Sequence, residues 1–456
     1  MNTNRMRREA WLRVLVPVSA GLLTVAIGLI LIRWLAPGLI GSKAPVDLRL
    51  VQADDRVTPF FESALRASDI ASAEFLLNDP HTRVRPRPLL APRMTFGPHD
   101  LLGMRNDSVP VWTDVLAIGD SQTYGNNVPL AGTWPAAMRR ALAEPSTRVY
   151  QMATGGWAAP QYLYMARRAP ALLPQVMVVA YYAGNDPAES LRDVLEMPYW
   201  QGQFRSASNE LAPLPRTVLN EGAPWPVRFA GGVETVFTPG VRLISNLAHP
   251  RVAAGWAVML ESAIRIAEIA VASGTTVVFA LIPTKELVYA QRVADEGIAA
   301  PPQYRELVER EAQWADRFLA DLSRIPGAQT VDVLAALRVA AAHNEPLYPD
   351  DDNGHPDLAG YRVIGEAIAA VVDPLLAPPP EGTYRVTNPD DDGGESRLVL
   401  IRDAQLWLFA SSTIARDNGW DVSESTVVLA DRWRNTLPRA GLIDRVDTAR
   451  FGPRSD

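Results

Sequence analysis

The chain has 456 residues, with 44 Lys and Arg against 51 Asp and Glu and a formal charge of −7. That balance, without a basic tract in the body of the chain, argues against nucleic acid as a partner. The absence of cysteine removes disulfides, thiol nucleophiles and cysteine-ligated zinc.

At the N-terminus, Arg5, Arg7, Arg8 and Arg13 precede 19 uncharged residues, Val14 to Ile32, closed by Arg33 and Trp34. As a helix this run would rise roughly 28 Å, close to the bilayer's roughly 30 Å of hydrocarbon. The expectation is a single-pass anchor in the inner or plasma membrane, with the lipid bilayer as partner. The basic flank puts the N-terminus inside and the body outside, in the periplasm of a Gram-negative cell. A cleaved signal peptide is the alternative; the apolar run is long for one, and no clean small-x-small site follows. Residues 1–40 are then cytoplasmic tip and anchor, and 41–110 an extracytoplasmic lead-in. Within the lead-in, "TPFFESALRASDIASAEFLLN" has helical spacing and "HTRVRPRPLLAPR" reads as extended.

From residue 111 the pattern becomes regular. Apolar, β-branched runs at "DVLAIG", "TRVYQMA", "QVMVVAYYAG", "TTVVFALIP" and "AQTVDV" are mostly separated by amphipathic stretches of helical length, and "DLAGYRVIGEAIAAVV" is a further helix. Strands this apolar, alternating with helices, predict a parallel sheet covered on both faces. Ligands of such sheets bind beyond the C-terminal strand ends. Residues 111–375 form this domain. An aperiodic insertion at 198–250 is too long for a plain connection and reads as a lid or rim. After about Pro374 the stretch "APPPEGTY" marks a boundary, and residues 376–456 carry short apolar runs, among them "SRLVLIRD", "AQLWLFASS" and "STVVLADRW", and predict a small β-rich unit.

Four blocks carry chemistry: Gly119-Asp120-Ser121 with Thr123 and Gly125; "MATGGW", with Gly155 and Gly156; "YAGND", with Asn185; and "DDNGHPDLAGY", with Asp352 and His355. The first three lie just past apolar strands. A serine hydroxyl needs an imidazole to take its proton, the imidazole needs an acid to hold its tautomer, and the oxyanion needs donors already in place. Ser121 can be the nucleophile and His355 the base. Asp352, three residues earlier, can reach the same imidazole. The donors can be the N–H of Ser121, the N–H of Gly156 and the amide of Asn185.

This set of blocks resembles the SGNH (GDSL-type) hydrolase superfamily over about residues 111–375. The first block is met in full as GDSxTxG. In the second, Gln151 stands where many members have asparagine, and Gly155 where serine is common. The resemblance implies a three-layer, flavodoxin-like α/β fold with a five-stranded parallel sheet. It also implies a Ser121–His355–Asp352 triad, with Ser121, Gly156 and Asn185 in the oxyanion hole. Separately, no cofactor or metal is expected. A looser likeness, in "FALIPTKELVYAQR" and in topology, is to the SGNH-like alginate and exopolysaccharide O-acetyltransferases. It implies acyl transfer to or from a glycan.

Other features read more plainly. Ser121 taken alone could cap the helix that follows it. Asp120 and Asp186 read as caps or loop braces, and Lys285 as a solvated residue or a rim cation for an anionic polymer. His81, His99, His249 and His343 lack companion patterns. The acidic "NPDDDGGESR" opens like a calcium loop but has Val399 where a bidentate glutamate is required. No HExxH or phosphate-binding loop occurs. The expected activity is that of a membrane-anchored esterase acting on O-acyl, foremost O-acetyl, esters, with an acyl ester, in one reading on a glycan, as substrate. The alternatives are an O-acetyltransferase of an exopolysaccharide or wall glycan and a non-catalytic glycan-binding scaffold.

Overall fold

The computed structural model describes residues 61, 74–92, 95–110, 113–144, 147–207, 211–212, 214, 223–376, 381–386, 397–403, 405–420, 422, 437 and 439–453. The expected anchor at 14–32, the lead-in before 74 apart from Phe61, the acidic segment at 388–396 and the apolar run at 425–433 lie outside these residues. Among the described residues no helix is long and apolar enough to cross a membrane.

The described lead-in begins with an antiparallel hairpin, β1 (Leu76–Asp79) and β2 (Arg83–Pro86). The helical spacing read up to Asn78 therefore gives way to strand at its end. The turn decides this: Asp79 Oδ1 accepts from the backbone N–H of His81 and of Thr82, both at 2.9 Å, and folds the chain back on itself.

Five strands make the central sheet. They are β3 (Val115–Gly119), β4 (Val149–Ala153), β5 (Val176–Tyr182), β8 (Thr276–Ile282) and β9 (Ala328–Asp332), in the order β4-β3-β5-β8-β9. Every pairing is parallel, and Gly119 pairs with Ala153 on one side and Ala180 on the other. All residues of β3 and β5 are buried, as expected for strands covered on both faces. Their alternation sorts two cores. Leu116, Ile118, Met177, Val179 and Tyr181 enter one, with the helices Ala159–Ala166 and Pro250–Ala272. Val115, Ala117, Val176, Val178 and Ala180 enter the other, with the helices Trp134–Ala141, Lys285–Asp295 and Leu358–Val372. This is the three-layer α/β arrangement that the apolar runs predicted.

Among the described residues, three helices of ten or more residues carried no element in the sequence reading: Asp186–Glu196, Lys285–Asp295 and Val333–Ala342. The second and third have local caps, in which the Thr284 hydroxyl accepts from Leu287 N–H and Asp332 accepts from Leu334 N–H. The second half of the aperiodic insertion is also ordered into elements. It forms a hairpin, β6 (Trp225–Arg228) and β7 (Glu234–Phe237), and a short helix, Pro239–Leu243. The hairpin leans on the loop before His355: Val236 N–H donates to Asp351 C=O at 3.2 Å, and the Thr235 hydroxyl to Pro349 C=O at 3.2 Å. The C-terminal part forms a separate four-stranded sheet of β10 (Gly382–Val386), β11 (Arg397–Arg402), β12 (Gln405–Phe409) and β13 (Arg439–Ile443).

Candidate active site

β3 ends at Gly119, and Asp120 N-caps the four-residue helix Ser121–Tyr124 by accepting from Gln122 N–H at 2.8 Å. Asp120, not Ser121, is thus the cap. Ser121 stands at the head of that helix, at the C-terminal edge of the sheet, with 9% of its surface exposed. The second block lies against it, for a Cβ on Gly155 would stand 3.7 Å from Ser121 Cβ. Gly156 adopts φ +81°, a left-handed conformation that side-chain-bearing residues rarely take. Among the described residues no protein group accepts from the N–H of Ser121 or of Gly156.

Asn185 occupies the N-cap position of the helix Asp186–Glu196, on the loop after β5, next to β3. One N–H of its amide donates to Glu189 Oε2 at 3.0 Å, which fixes the plane of the amide and leaves a second N–H. Its Oδ1 has no partner among the described residues. Beneath the loops, Asp186 braces β5 by accepting from Tyr182 N–H and the Tyr162 hydroxyl, both at 2.9 Å. Burial, and then the field of Glu189, push the Asp120 carboxyl up to about 7. Burial and the neighbouring Asp120 raise Asp186 as well.

His355 arrives from a loop 234 residues later, and its Nε2 lies 2.8 Å from Ser121 Oγ. Two of the three residues of the expected triad therefore meet. The third does not. Asp352 is exposed and makes no hydrogen bond to the imidazole, whereas Asn353 Oδ1 lies 2.8 Å from His355 Nδ1. The reason is the route of the loop. Lys285 Nζ donates to the carbonyls of Asp351 (2.9 Å) and Asn353 (3.0 Å), so the intervening Asp352 is turned outward and Asn353 inward. Lys285, expected in solvent or on a rim, is 1% exposed and serves as this staple.

The orientation of Asn353 follows from a second asparagine, Asn127, just past the GDSxTxG block. Asn127 Nδ2 can only donate, and it meets the His355 carbonyl at 3.2 Å. Its Oδ1 therefore faces Asn353 and accepts from Nδ2 at 2.7 Å. Asn353 is left presenting oxygen to His355 Nδ1, which must carry the proton, and Nε2 is free to accept from Ser121. Burial, and then the Arg242 charge, lower the imidazole to about 4, so it is neutral and basic in form at ordinary pH. Sequence reasoning missed Asn127, Asn353 and Arg242. The only local hint was the Asn126-Asn127 pair closing the serine block.

The other histidines take no part in this site. His99 bonds Arg87 C=O and the Tyr124 hydroxyl, and His249 caps the helix Pro250–Ala272. Among the described residues no group of His, Asp and Glu side chains could hold a metal ion.

A serine and an imidazole in hydrogen-bond contact at the edge of a parallel sheet, beside two backbone N–H groups without acceptors, have the layout of an α/β serine hydrolase. Residues 117–363, more than half of the chain, match the model of the GDSL-like lipase/acylhydrolase family. The chain belongs to that family of ester-cleaving enzymes. No curated protein matches it. Similar solved structures include TesA, at 16% identity and TM-score 0.31 over 58% of this chain and 99% of that one. A GDSL-like lipase from Bacteroides thetaiotaomicron has 14% identity and TM-score 0.28 over 57% and 88%. A catalytic mutant of the acetylxylan esterase Axe2 from Geobacillus stearothermophilus has 12% identity and TM-score 0.32 over 57% and 94%.

Proposed function

We propose that the protein is a serine carboxyl-ester hydrolase using Ser121, His355 and Asn353, with O-acyl esters as substrates. The reading rests on one observation: Ser121 Oγ is 2.8 Å from a histidine nitrogen whose partner nitrogen is locked in the donor state by Asn353. His355 Nε2 takes the Ser121 proton as Oγ attacks the ester carbonyl carbon. The oxyanion is met by the N–H groups of Ser121 and Gly156 and the second amide N–H of Asn185. His355 hands its proton to the leaving alcohol, and the acyl group remains on Ser121. Water, deprotonated by His355, then attacks the acyl-enzyme and regenerates the serine.

The uncharged run at 14–32 supports anchoring in a membrane with the ester-cleaving body outside the cytoplasm. The likeness of 279–292 to exopolysaccharide O-acetyltransferases favours a second reading, in which a sugar hydroxyl replaces water in the last step. Fluorophosphonate labelling of the full-length chain tests the common core. Wild type should label and release acetate from 4-nitrophenyl acetate, and Ser121→Ala should do neither. Undiminished turnover by a folded Ser121→Ala variant would refute the assignment. Supplying an oligosaccharide together with the ester, and weighing the sugar by mass spectrometry, separates hydrolysis from transfer.

A further inference from the structure

The helix Pro239–Leu243 brings a cation to the site that the steps above do not use. It is pinned at both ends. Thr238 N–H donates to buried Glu286 Oε1 at 2.9 Å, and Asn246 Nδ2 donates to the Ala183 carbonyl at 3.1 Å, two residues before Asn185. From this helix Arg242 extends to the His355 loop. A Cβ on Gly354 would stand 2.5 Å from its Nη2, so residue 354 must be glycine for the guanidinium to lie where it does. The Arg242 guanidinium carbon is 5.8 Å from the centroid of the Tyr182 ring.

Among the described residues the Arg242 guanidinium donates no hydrogen bond and enters no ion pair. Glu286, Glu311 and Asp120 act on its charge from nearby without a salt bridge to it, and Glu286 Oε2 is itself buried without a partner among the described residues. Glu286 holds Thr238, and Glu311 accepts from both the N–H and the hydroxyl of Thr284, at 2.8 and 2.5 Å. Beside the guanidinium, the Tyr182 hydroxyl is buried without a hydrogen-bond partner and would stand 3.3 Å from the same Cβ position on Gly354. A half-buried guanidinium with unmet N–H groups is costly to keep, and its planar fork matches a carboxylate.

Its place gives the polarity. His355 delivers its proton to the leaving alcohol, and Arg242 is seated against Gly354, the residue next to His355, which is the ground for setting it toward the alcohol half of the ester. The acyl oxygen faces Gly156 and Asn185. We propose that Arg242 binds a carboxylate carried on the alcohol half of the substrate, so that the enzyme prefers acyl esters of hydroxy acids over esters of neutral alcohols. This rests on the esterase reading above.

The test compares 3- and 4-acetoxybenzoate with their methyl esters on the full-length chain. The ratio of kcat/KM for the acid over its methyl ester should be roughly 10–100-fold higher in wild type than in Arg242→Gln, the worth of a charge-assisted hydrogen-bonded pair. Arg242→Lys should recover part of it as a point charge. A role confined to tuning His355 would alter both esters alike and leave the ratio unmoved. Equal ratios in wild type and Arg242→Gln overturn the proposal. Should the variants not fold, wild type alone decides: the ratio must exceed that of uncatalysed hydrolysis of the same pair and fall between about 0.05 and about 0.5 M salt. A ratio no higher than the uncatalysed one overturns the proposal. Failure of the esterase reading shows separately, as the absence of Ser121-dependent turnover. In that event calorimetry on Ser121→Ala carries the test. Tighter binding of 4-hydroxybenzoate than of its methyl ester, lost on adding Arg242→Gln, upholds the Arg242 site, and equal binding overturns it.

Discussion

Replacing Asn353 by aspartate tests the least expected feature of the site. In wild type the imidazole has an amide oxygen 2.8 Å from Nδ1, and burial and Arg242 lower it to about 4. An amide holds the tautomer but supplies no charge to the cation formed as Ser121 attacks. A carboxylate at the same distance raises a histidine by about 1–3 units. The acid limb of kcat/KM, near pH 4 in wild type, should therefore move to about pH 5–7. Each unit is about 1.4 kcal/mol of imidazolium stabilisation, so turnover on the alkaline plateau should rise, by at most about 10–10³-fold. The substitution also sets two oxygens face to face, since Asn127 Oδ1 now accepts from Asn353 Nδ2. Loss of that hydrogen bond should cost about 1 kcal/mol of stability. The assay is 4-nitrophenyl acetate turnover across the pH range with Asn353→Asp, Asn353→Ala and Asp352→Ala. Asn353→Ala should lose on the order of 10²-fold or more, because nothing then fixes the tautomer. Asp352→Ala should be the mildest of the three. A limb that shifts in Asp352→Ala and stays put in Asn353→Asp would show that Asp352, not Asn353, partners the histidine during turnover.

Further outcomes follow from the same geometry. Asn185→Ala should lower kcat by about 10²–10³-fold with little change in KM, as expected for a donor that acts on the oxyanion; a loss confined to KM would remove it from that role. Gly354→Ala places a Cβ 2.5 Å from Arg242 Nη2, so the guanidinium must move, and the preference for acetoxybenzoates over their methyl esters should fall in parallel with Arg242→Gln. Folding raises the Asp120 carboxyl to about 7 from an ordinary value of 3.8. Between those values the folded chain holds a proton that the unfolded chain has released, so this group's contribution to stability falls as pH rises through the window. Asp120→Asn keeps a capping oxygen and removes the titration. Its melting temperature should drop less than that of wild type between about pH 5 and about pH 8, and an equal drop would mean that Asp120 does not carry the proton.

Much of the fold was written locally. β3 and β5 could be read because every residue in them is buried, which leaves continuous apolar runs in the sequence. Ser121, Gly156 and Asn185 each follow such a run, and a parallel sheet gathers all three loops at one edge. The hairpin β6–β7 and the helix Pro239–Leu243 were not legible. They are only four or five residues long, too short for a period, and are held by bonds to the loop at 349–351 and to Glu286.

By itself, then, the sequence determined the layered sheet and pointed to the serine and the histidine that meet in the fold, because strand burial and the spacing of short blocks are local properties. The tertiary structure alone decided which neighbour of His355 faces Nδ1. Asp352 is three residues from the histidine and Asn353 two, and nothing in that spacing prefers the amide. The choice is made by Asn127, 226 residues from Asn353 along the chain, and by the Lys285 staple on the loop's carbonyls. The same holds for Arg242, whose approach to Gly354 joins elements more than a hundred residues apart in sequence. Packing, which only the folded chain has, set both.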